Sequence, residues 1–266
     1  MHALDFMRWA ERRIGTRRAA PYYYSAIFKL APRYGLSCFN FGYADAHEAV
    51  DHPGSSEPYQ LELYRQTALA IGVDRLRDAC LLEISSGLGG GLAYIHRVFK
   101  PRLSIGLERA LSAVLSSRRR FGLITVQGDA VDLRLPTAAF DVVINVEASH
   151  VYFDDVFVGE VARVMRPGGA VAITDSRLLS PSESKKMLET SFERCGLSLV
   201  SFREITSNVA KACELDDPRR ERVLAKLPFF LRPAIRTMLG GITTPNFVNL
   251  RDNRSTYFIA VGMKPL

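Results

Sequence analysis

The stretch Glu83 to Gly91, EISSGLGGG, leaves few architectures open. The apolar run Ala79-Cys80-Leu81-Leu82 ahead of it is short and bounded like a buried parallel strand, and Leu92-Ala93-Tyr94-Ile95 behind it begins a helical pattern. Strand, glycine-rich turn and helix in that order put the turn at the carboxyl edge of a sheet. Gly87, Gly89, Gly90 and Gly91 carry no Cβ, so a ligand can approach the backbone there, and the unpaired N–H groups of the helix start point at it. By itself such a turn serves NAD enzymes, phosphate binders and plain structural loops alike.

Two acids downstream narrow the choice. Leu103 to Leu107 reads as the next strand and ends in Glu108, about twenty residues beyond the turn, where a carboxylate can accept both hydroxyl hydrogens of a ribose. Phe121 to Gln127 reads as a third strand. Gly128-Asp129-Ala130 follows it and places a carboxylate where an exocyclic adenine amine can donate, with Ala130 and Val131 against the ring. A dinucleotide-binding dehydrogenase more often carries a third glycine at the position of Leu92 and has no need of the Gly-Asp-Ala step. Phe140 to Asn145 supplies a fourth strand. Val161 to Gly169 ends a helix in a Pro-Gly-Gly turn, and Ala170 to Thr174 makes a fifth strand.

In order and spacing, EISSGLGGG, Glu108, GDA, FDVVINVEASH and MRPGG resemble the class I S-adenosylmethionine-dependent methyltransferases. Within that class, NVEASHVY (Asn145 to Tyr152), the triple glycine and the upstream NFGY (Asn40 to Tyr43) are most similar to bacterial phthiotriolone and phenolphthiotriolone dimycocerosate O-methyltransferases and related natural-product enzymes. The similarity runs from about Tyr24 to the C-terminus, dense between Cys80 and Asp175 and thin from Ile205 to Leu250. It implies a Rossmann-like α/β fold with a seven-stranded, mostly parallel sheet and an antiparallel last strand inserted between two earlier ones. It also implies S-adenosylmethionine as cofactor, with S-adenosylhomocysteine as product. The residues it carries over to that cofactor are Tyr43, Glu83, Ser85, Gly87, Gly89, Glu108, Asp129, Ala130 and Asn145. Ser86 and Leu88 stand where the relatives usually have cysteine and histidine, and Leu88 removes any acid-base role from its position.

The rest of the chain fits around that core. Residues 1–57 are expected to form a helical cap, 58–205 the cofactor-binding α/β core, 206–250 a helical lid and 251–266 the final core strand. Glu57 to Ala70 reads as a helix with Leu61, Tyr64, Ala68 and Leu69 toward one side and Tyr64 or Gln60 near the cofactor. Pro181 to Cys195 reads as a helix, and Leu197 to Ile205 and Ser255 to Met263 read as the last strands. Between them, Thr206 to Gly241 has helical apolar spacing. Leu227 to Phe230 and Met238 to Gly241 would give a lid its apolar inner wall.

The net charge of +7 is concentrated near the start, where Arg8, Arg12, Arg13, Arg17, Arg18, Lys29 and Arg33 face only Asp5 and Glu11, interleaved with aromatic residues. Such a segment can lie on an anionic membrane surface or simply pack its apolar side on the core. No appended RNA-binding module accompanies it, so nucleic acid is not expected as a partner. Four widely separated cysteines exclude a zinc or disulfide framework and point to a reduced, cytoplasmic setting. No metal-ligand cluster is visible, and metal independence is expected.

The expected reaction moves a methyl group to a hydroxyl of a lipid-like or polyketide-like small molecule. C- or N-methylation, and cofactor binding without catalysis, are the competing readings. An alcohol needs a base, and His150, just past the fourth strand, is the candidate. Glu147 is the rival base or the group that orients His150, and Asp175 at the end of the fifth strand is a third possibility.

Overall fold

In the computed structural model, residues 13, 24–45, 52 and 55–266 are described. Most of the basic segment considered for membrane contact or for packing on the core, with Arg8, Arg12, Arg17 and Arg18, and more than half of the expected cap lie outside them.

Seven strands form one sheet: β1 (Cys80–Ile84), β2 (Leu103–Glu108), β3 (Ile124–Gln127), β4 (Phe140–Val146), β5 (Met165–Arg177), β6 (Ser198–Glu204) and β7 (Thr256–Met263). Their order is β3-β2-β1-β4-β5-β7-β6. The first five are parallel to one another, while β7 runs antiparallel to both β5 and β6, between which it is inserted. This is the topology expected from sequence. The order reverses beside β1, with β2 on one side and β4 on the other, and a ligand crevice opens at the carboxyl ends where it does so.

Period-two alternation sends successive residues of each central strand to opposite faces. Leu81, Val142, Ile144, Ala172 and Ile259 pack on one side with helices α1 (Pro58–Ile71) and α2 (Gly90–Phe99). Leu82, Ile84, Val143, Ile173 and Phe258 pack on the other with α4 (Asp155–Val164) and α5 (Pro181–Arg194). Helix α3 (Leu111–Phe121) connects β2 and β3. Two helix starts are visible in the sequence: Asp154 accepts the Phe157 N–H, and Ser180 with Glu183 forms a reciprocal capping box.

Several boundaries move. Phe121 ends α3, and Gly122 terminates that helix in the left-handed region at φ 67°, so β3 begins only at Ile124. Helix α4 stops at Val164, not at Gly169. The Pro-Gly-Gly step is absorbed into the start of β5, where its pairing with β4 slips between Phe140 and Val142. On α1, Leu61, Tyr64 and Ala68 are buried as expected, whereas Leu69 faces outward.

Between β6 and β7 lie three helices: α6 (Thr206–Lys226), α7 (Arg232–Met238) and α8 (Pro245–Arg251). Leu224, Leu227, Leu231, Ile235 and Leu239 of this segment meet Ile27, Phe28 and Leu36 of the N-terminal part in a third apolar cluster, with Leu88 of the glycine-rich turn among them. Leucine there serves packing.

Candidate active site

A cavity of about 690 Å³ opens over the carboxyl ends of β1 to β5. One end is built by the turn after β1. Ser85, the first residue after the strand, has φ 59°, a left-handed conformation costly for a side chain with Cβ, and Gly87 has φ 53°. Of the four glycines, only Gly87 borders open space: a Cβ there would find nothing nearer than the Phe28 ring at 4.0 Å. Gly89 stands in the left-handed region at φ 85°, and the chain itself crowds Gly89, Gly90 and Gly91. A Cβ on Gly89 would lie 2.3 Å from Ser117 Oγ, on Gly90 2.4 Å from Ser37 Oγ, and on Gly91 1.9 Å from the Tyr64 ring. The triple glycine therefore packs the turn against neighbouring side chains, and Gly89 does not line the cavity.

The Tyr64 ring that crosses Gly91 carries its hydroxyl to Glu83, donating to Oε1 over 2.7 Å. Glu83 is fully buried, its Oε2 has no partner, and burial pushes its pKa up to about 8. Glu83 itself stays beneath the cavity wall, while Tyr64 lines it. Gln60 lies elsewhere, donating to Asp216 on α6.

Glu108 sits at the tip of β2 with both oxygens on backbone donors, Gly87 N–H at 3.0 Å and Ala110 N–H at 2.8 Å. Burial raises its pKa against those hydrogen bonds. A carboxylate offers about four lone-pair sites, so each oxygen retains capacity toward the cavity. Gly128 N–H bonds to the Glu108 carbonyl over 3.1 Å, setting Asp129 and Ala130 beside Glu108 on the cavity wall. Asp129 Oδ1 accepts the Val131 N–H, and Arg109 lies 3.8 Å from its other oxygen.

The other end is made by side chains after β4 and β5. Asp175 is fully buried and accepts from Ser149 Oγ (2.6 Å) and His150 N–H (2.7 Å). Its second oxygen lies 2.9 Å from His150 Nδ1, and Arg177 is 3.2 Å away. With Nδ1–H committed to Asp175, the basic atom of the neutral ring is Nε2, which bonds to no described residue. Desolvation lowers the imidazole pKa, but the Asp175 charge and hydrogen bond outweigh it and leave the value raised. Asp175 is held below the usual carboxylate range. Burial opposes this, and His150 and Arg177 prevail.

Glu147, the first residue after β4, also stands in the left-handed region, at φ 50°. Its Oε1 accepts from the Phe41 backbone N–H and the Tyr257 hydroxyl. It does not bond to His150, and the orienting partner of that ring is Asp175.

Comparison with known proteins decides what such a site belongs to. A family profile described as a methyltransferase domain matches residues 82–173. The chain is 38% identical over 203 residues to a Mycobacterium ulcerans protein named as a probable phthiotriol/phenolphthiotriol dimycocerosates methyltransferase 2, covering 74% of this chain and 75% of that one. The chain belongs to the S-adenosylmethionine-dependent methyltransferases. It is also 36% identical over 212 residues to a fatty-acid O-methyltransferase of Mycolicibacterium smegmatis, covering 78% of this chain and 74% of the relative. In overall fold it matches a geranyl diphosphate C-methyltransferase from Streptomyces coelicolor A3(2), solved with Mg2+, geranyl-S-thiolodiphosphate and S-adenosyl-L-homocysteine. The TM-score is 0.63 at 16% identity, covering 93% of this chain and 97% of the other.

Of the residues singled out in the methyltransferase sequence, Ser85, Gly87, Glu108, Asp129, Ala130, Glu147, His150 and Asp175 come together on the cavity. Tyr43 does not: it is buried in the core beneath α1, with the Arg203 guanidinium 5.9 Å from its ring. Asn145 is also fully buried. Its amide donates to the Ile84 carbonyl and the Tyr152 hydroxyl, each over 2.8 Å, and through Tyr152 it reaches Ser85. Tyr152, Arg177, Tyr64 and Tyr257 complete the assembly. Tyr152 was within reach of sequence reasoning, since it closes the NVEASHVY motif. Tyr64 is the helix residue expected near the cofactor, whereas Arg177 and Tyr257 sit on β5 and β7 and join the site only through folding. Of the expected inner wall of the helical segment, Met238 lines the cavity, whereas Phe229 and Phe230 face outward, 70% and 46% exposed.

Proposed function

We propose that this methyltransferase methylates a hydroxyl oxygen on an apolar small molecule, with His150 as the base. The observation that carries the reading is the Asp175–His150 pair: a buried carboxylate fixes the imidazole through Nδ1 and leaves Nε2 free at the cavity wall. Methyl transfer to oxygen requires the hydroxyl proton to leave, and a histidine held in one tautomer is suited to take it.

The residues present fit the cofactor. Gly87 offers backbone without a Cβ, Ser86 Oγ is a buried, unpartnered polar atom on the cavity wall, and two acids stand at successive strand ends. Glu108 would take the ribose, Asp129 and Ala130 the adenine, and Ser85 and Gly87 the methionine end. S-adenosylmethionine, when bound there, supplies an electrophilic methyl on a sulfonium. Because that charge vanishes as the methyl leaves, positioning counts for more than polarisation. Phe28, Phe39, Phe41, Val146, Met238 and Leu250 give the chamber an apolar lining suited to a hydrocarbon-rich acceptor. The relative named for fatty acids acts on such a chain. Helices α7 and α8 would close over the acceptor as a lid.

The test is labelled-methyl transfer from S-adenosylmethionine to a panel of long-chain alcohols, phenols and amines, with mass spectrometry locating the label. Label on oxygen is expected, and label confined to carbon or nitrogen would overturn the reading.

A further inference from the structure

Glu147 is placed with more care than a spare base requires. It lines the chamber in a left-handed backbone conformation, and both donors that reach it, Phe41 N–H and Tyr257 O–H, converge on Oε1. Oε2 makes no hydrogen bond to any described residue and is not among the buried unpaired atoms, so it opens on the cavity. None of the ion pairs among the described residues includes Glu147. The charged and titratable groups around it are His150 on its own loop, Asp175 and Arg177 on β5, Tyr257 on β7, Cys213 and Arg220 on α6 and Tyr64 on α1. The cations among these are committed elsewhere: His150 and Arg177 to Asp175, and Arg220 to Asp216 and the carbonyls of Phe41, Cys213 and Gly240.

A carboxyl that forms no ion pair with a described residue, desolvated and close to a second carboxylate, holds its proton. Burial, seconded by Asp175, lifts Glu147 to about 8 against its two hydrogen bonds. Since Oε1 already accepts two donors, the proton sits on Oε2 and faces the chamber. Neighbouring donors are spent: Ser149 Oγ and Arg177 on Asp175 and its surroundings, Tyr257 on Glu147 itself. A neutral acid O–H aimed into an apolar chamber seeks a strong acceptor, and a carbonyl oxygen is a strong neutral one that an apolar small molecule can carry.

We propose that Glu147 determines specificity for the acceptor: its Oε2 donates to a carbonyl oxygen borne near the reacting hydroxyl, so that hydroxy-carbonyl compounds are taken in preference to simple alcohols. The inference rests on reading the cavity as the acceptor chamber.

The experiment compares two probes of equal chain length, a long-chain β-hydroxy ketone and the corresponding mono-alcohol, binding to the full chain with S-adenosylhomocysteine, at pH 6.5 and pH 9.5. One neutral hydrogen bond predicts a preference of about 5- to 10-fold for the hydroxy ketone at the lower pH. The preference should vanish at the higher pH, where the carboxylate can no longer donate. Glu147→Gln keeps a carbonyl for the Phe41 and Tyr257 donors and an amide N–H toward the chamber, so it should retain the preference at both pH values while His150 still titrates. Equal affinity of wild type for the two probes, including no measurable binding of either, overturns the proposal. So does a Glu147→Gln variant that loses turnover on both probes equally, the behaviour of a base. Failure of the two readings is separable. Equal methylation of both probes removes this role of Glu147 and leaves oxygen methylation standing, whereas a binding preference without methylation of either does the reverse.

Discussion

The two ends of the cavity are built differently. The end beneath the glycine-rich turn is a backbone device: Gly87 and Ala110 N–H groups hold Glu108, the Glu108 carbonyl holds Gly128, and three glycines lock the turn onto Ser37, Tyr64 and Ser117. The end above β4 and β5 is a side-chain device, in which Asp175 holds His150 and Arg177 while Tyr257 holds Glu147. A backbone device fixes an invariant ligand with short, local motifs. A side-chain device can be exchanged residue by residue while the frame stays intact, which is how one fold serves many acceptors.

The largest way to break the contrast is at Gly91. Alanine there would put its Cβ into the Tyr64 ring, and overpacking of this kind typically costs about 1–3 kcal/mol and displaces the side chain in the way. Thermal denaturation should show a clear fall in Tm, and calorimetry a loss of S-adenosylhomocysteine affinity. An unchanged affinity would mean that Tyr64 and Glu83 do not support that end.

Asp175→Asn sharpens the other end. The imidazole loses the charge that raises its pKa, so the alkaline-rising limb of kcat/KM, which reports deprotonation of the base, should move to lower pH. Turnover should fall by about 10- to 100-fold as the ring loses its fixed tautomer. A limb that stays in place would show that His150 is not the group titrating.

A smaller effect follows from Glu83. Its folded pKa, about 8, lies above the unfolded value, so the native state binds the extra proton, and stability falls as pH rises from the ordinary glutamate range through about 8. Glu83→Gln, which can still accept the Tyr64 hydroxyl, should flatten that decline in Tm. An equal slope in both proteins would place the titration elsewhere.

The same contrast explains what could be read from the sequence. Parallel strands announce themselves as short apolar runs, and Glu108 and Asp129 follow theirs directly, so the fold and the two acids at the turn end of the cavity were legible. Tyr43 lies off the cavity wall, and an aromatic in a turn looks the same in sequence whether it faces a ligand or, as here, the core beneath α1. Gly89 to Gly91 failed more instructively: absence of a side chain marks crowding, but the sequence does not say whether ligand or protein does the crowding. Asp175 could be named only as a third possibility, since its partnership with His150 depends on β5 running on to Arg177 beside the antiparallel β7. Tyr257 carries no local signal, because it reaches Glu147 across 110 residues of chain.

The most direct measurement sets His150→Ala beside Glu108→Ala, reading S-adenosylhomocysteine affinity and methyl-transfer turnover in each. If the turn end holds the cofactor and the end above β4 and β5 the acceptor, as proposed, His150→Ala should lower turnover by about 10² to 10⁴ and keep the affinity. Glu108→Ala should weaken affinity by about 10- to 100-fold, the worth of hydrogen bonds to a charged group, and retain turnover at saturating cofactor. Parallel losses of both quantities in both variants would contradict the division.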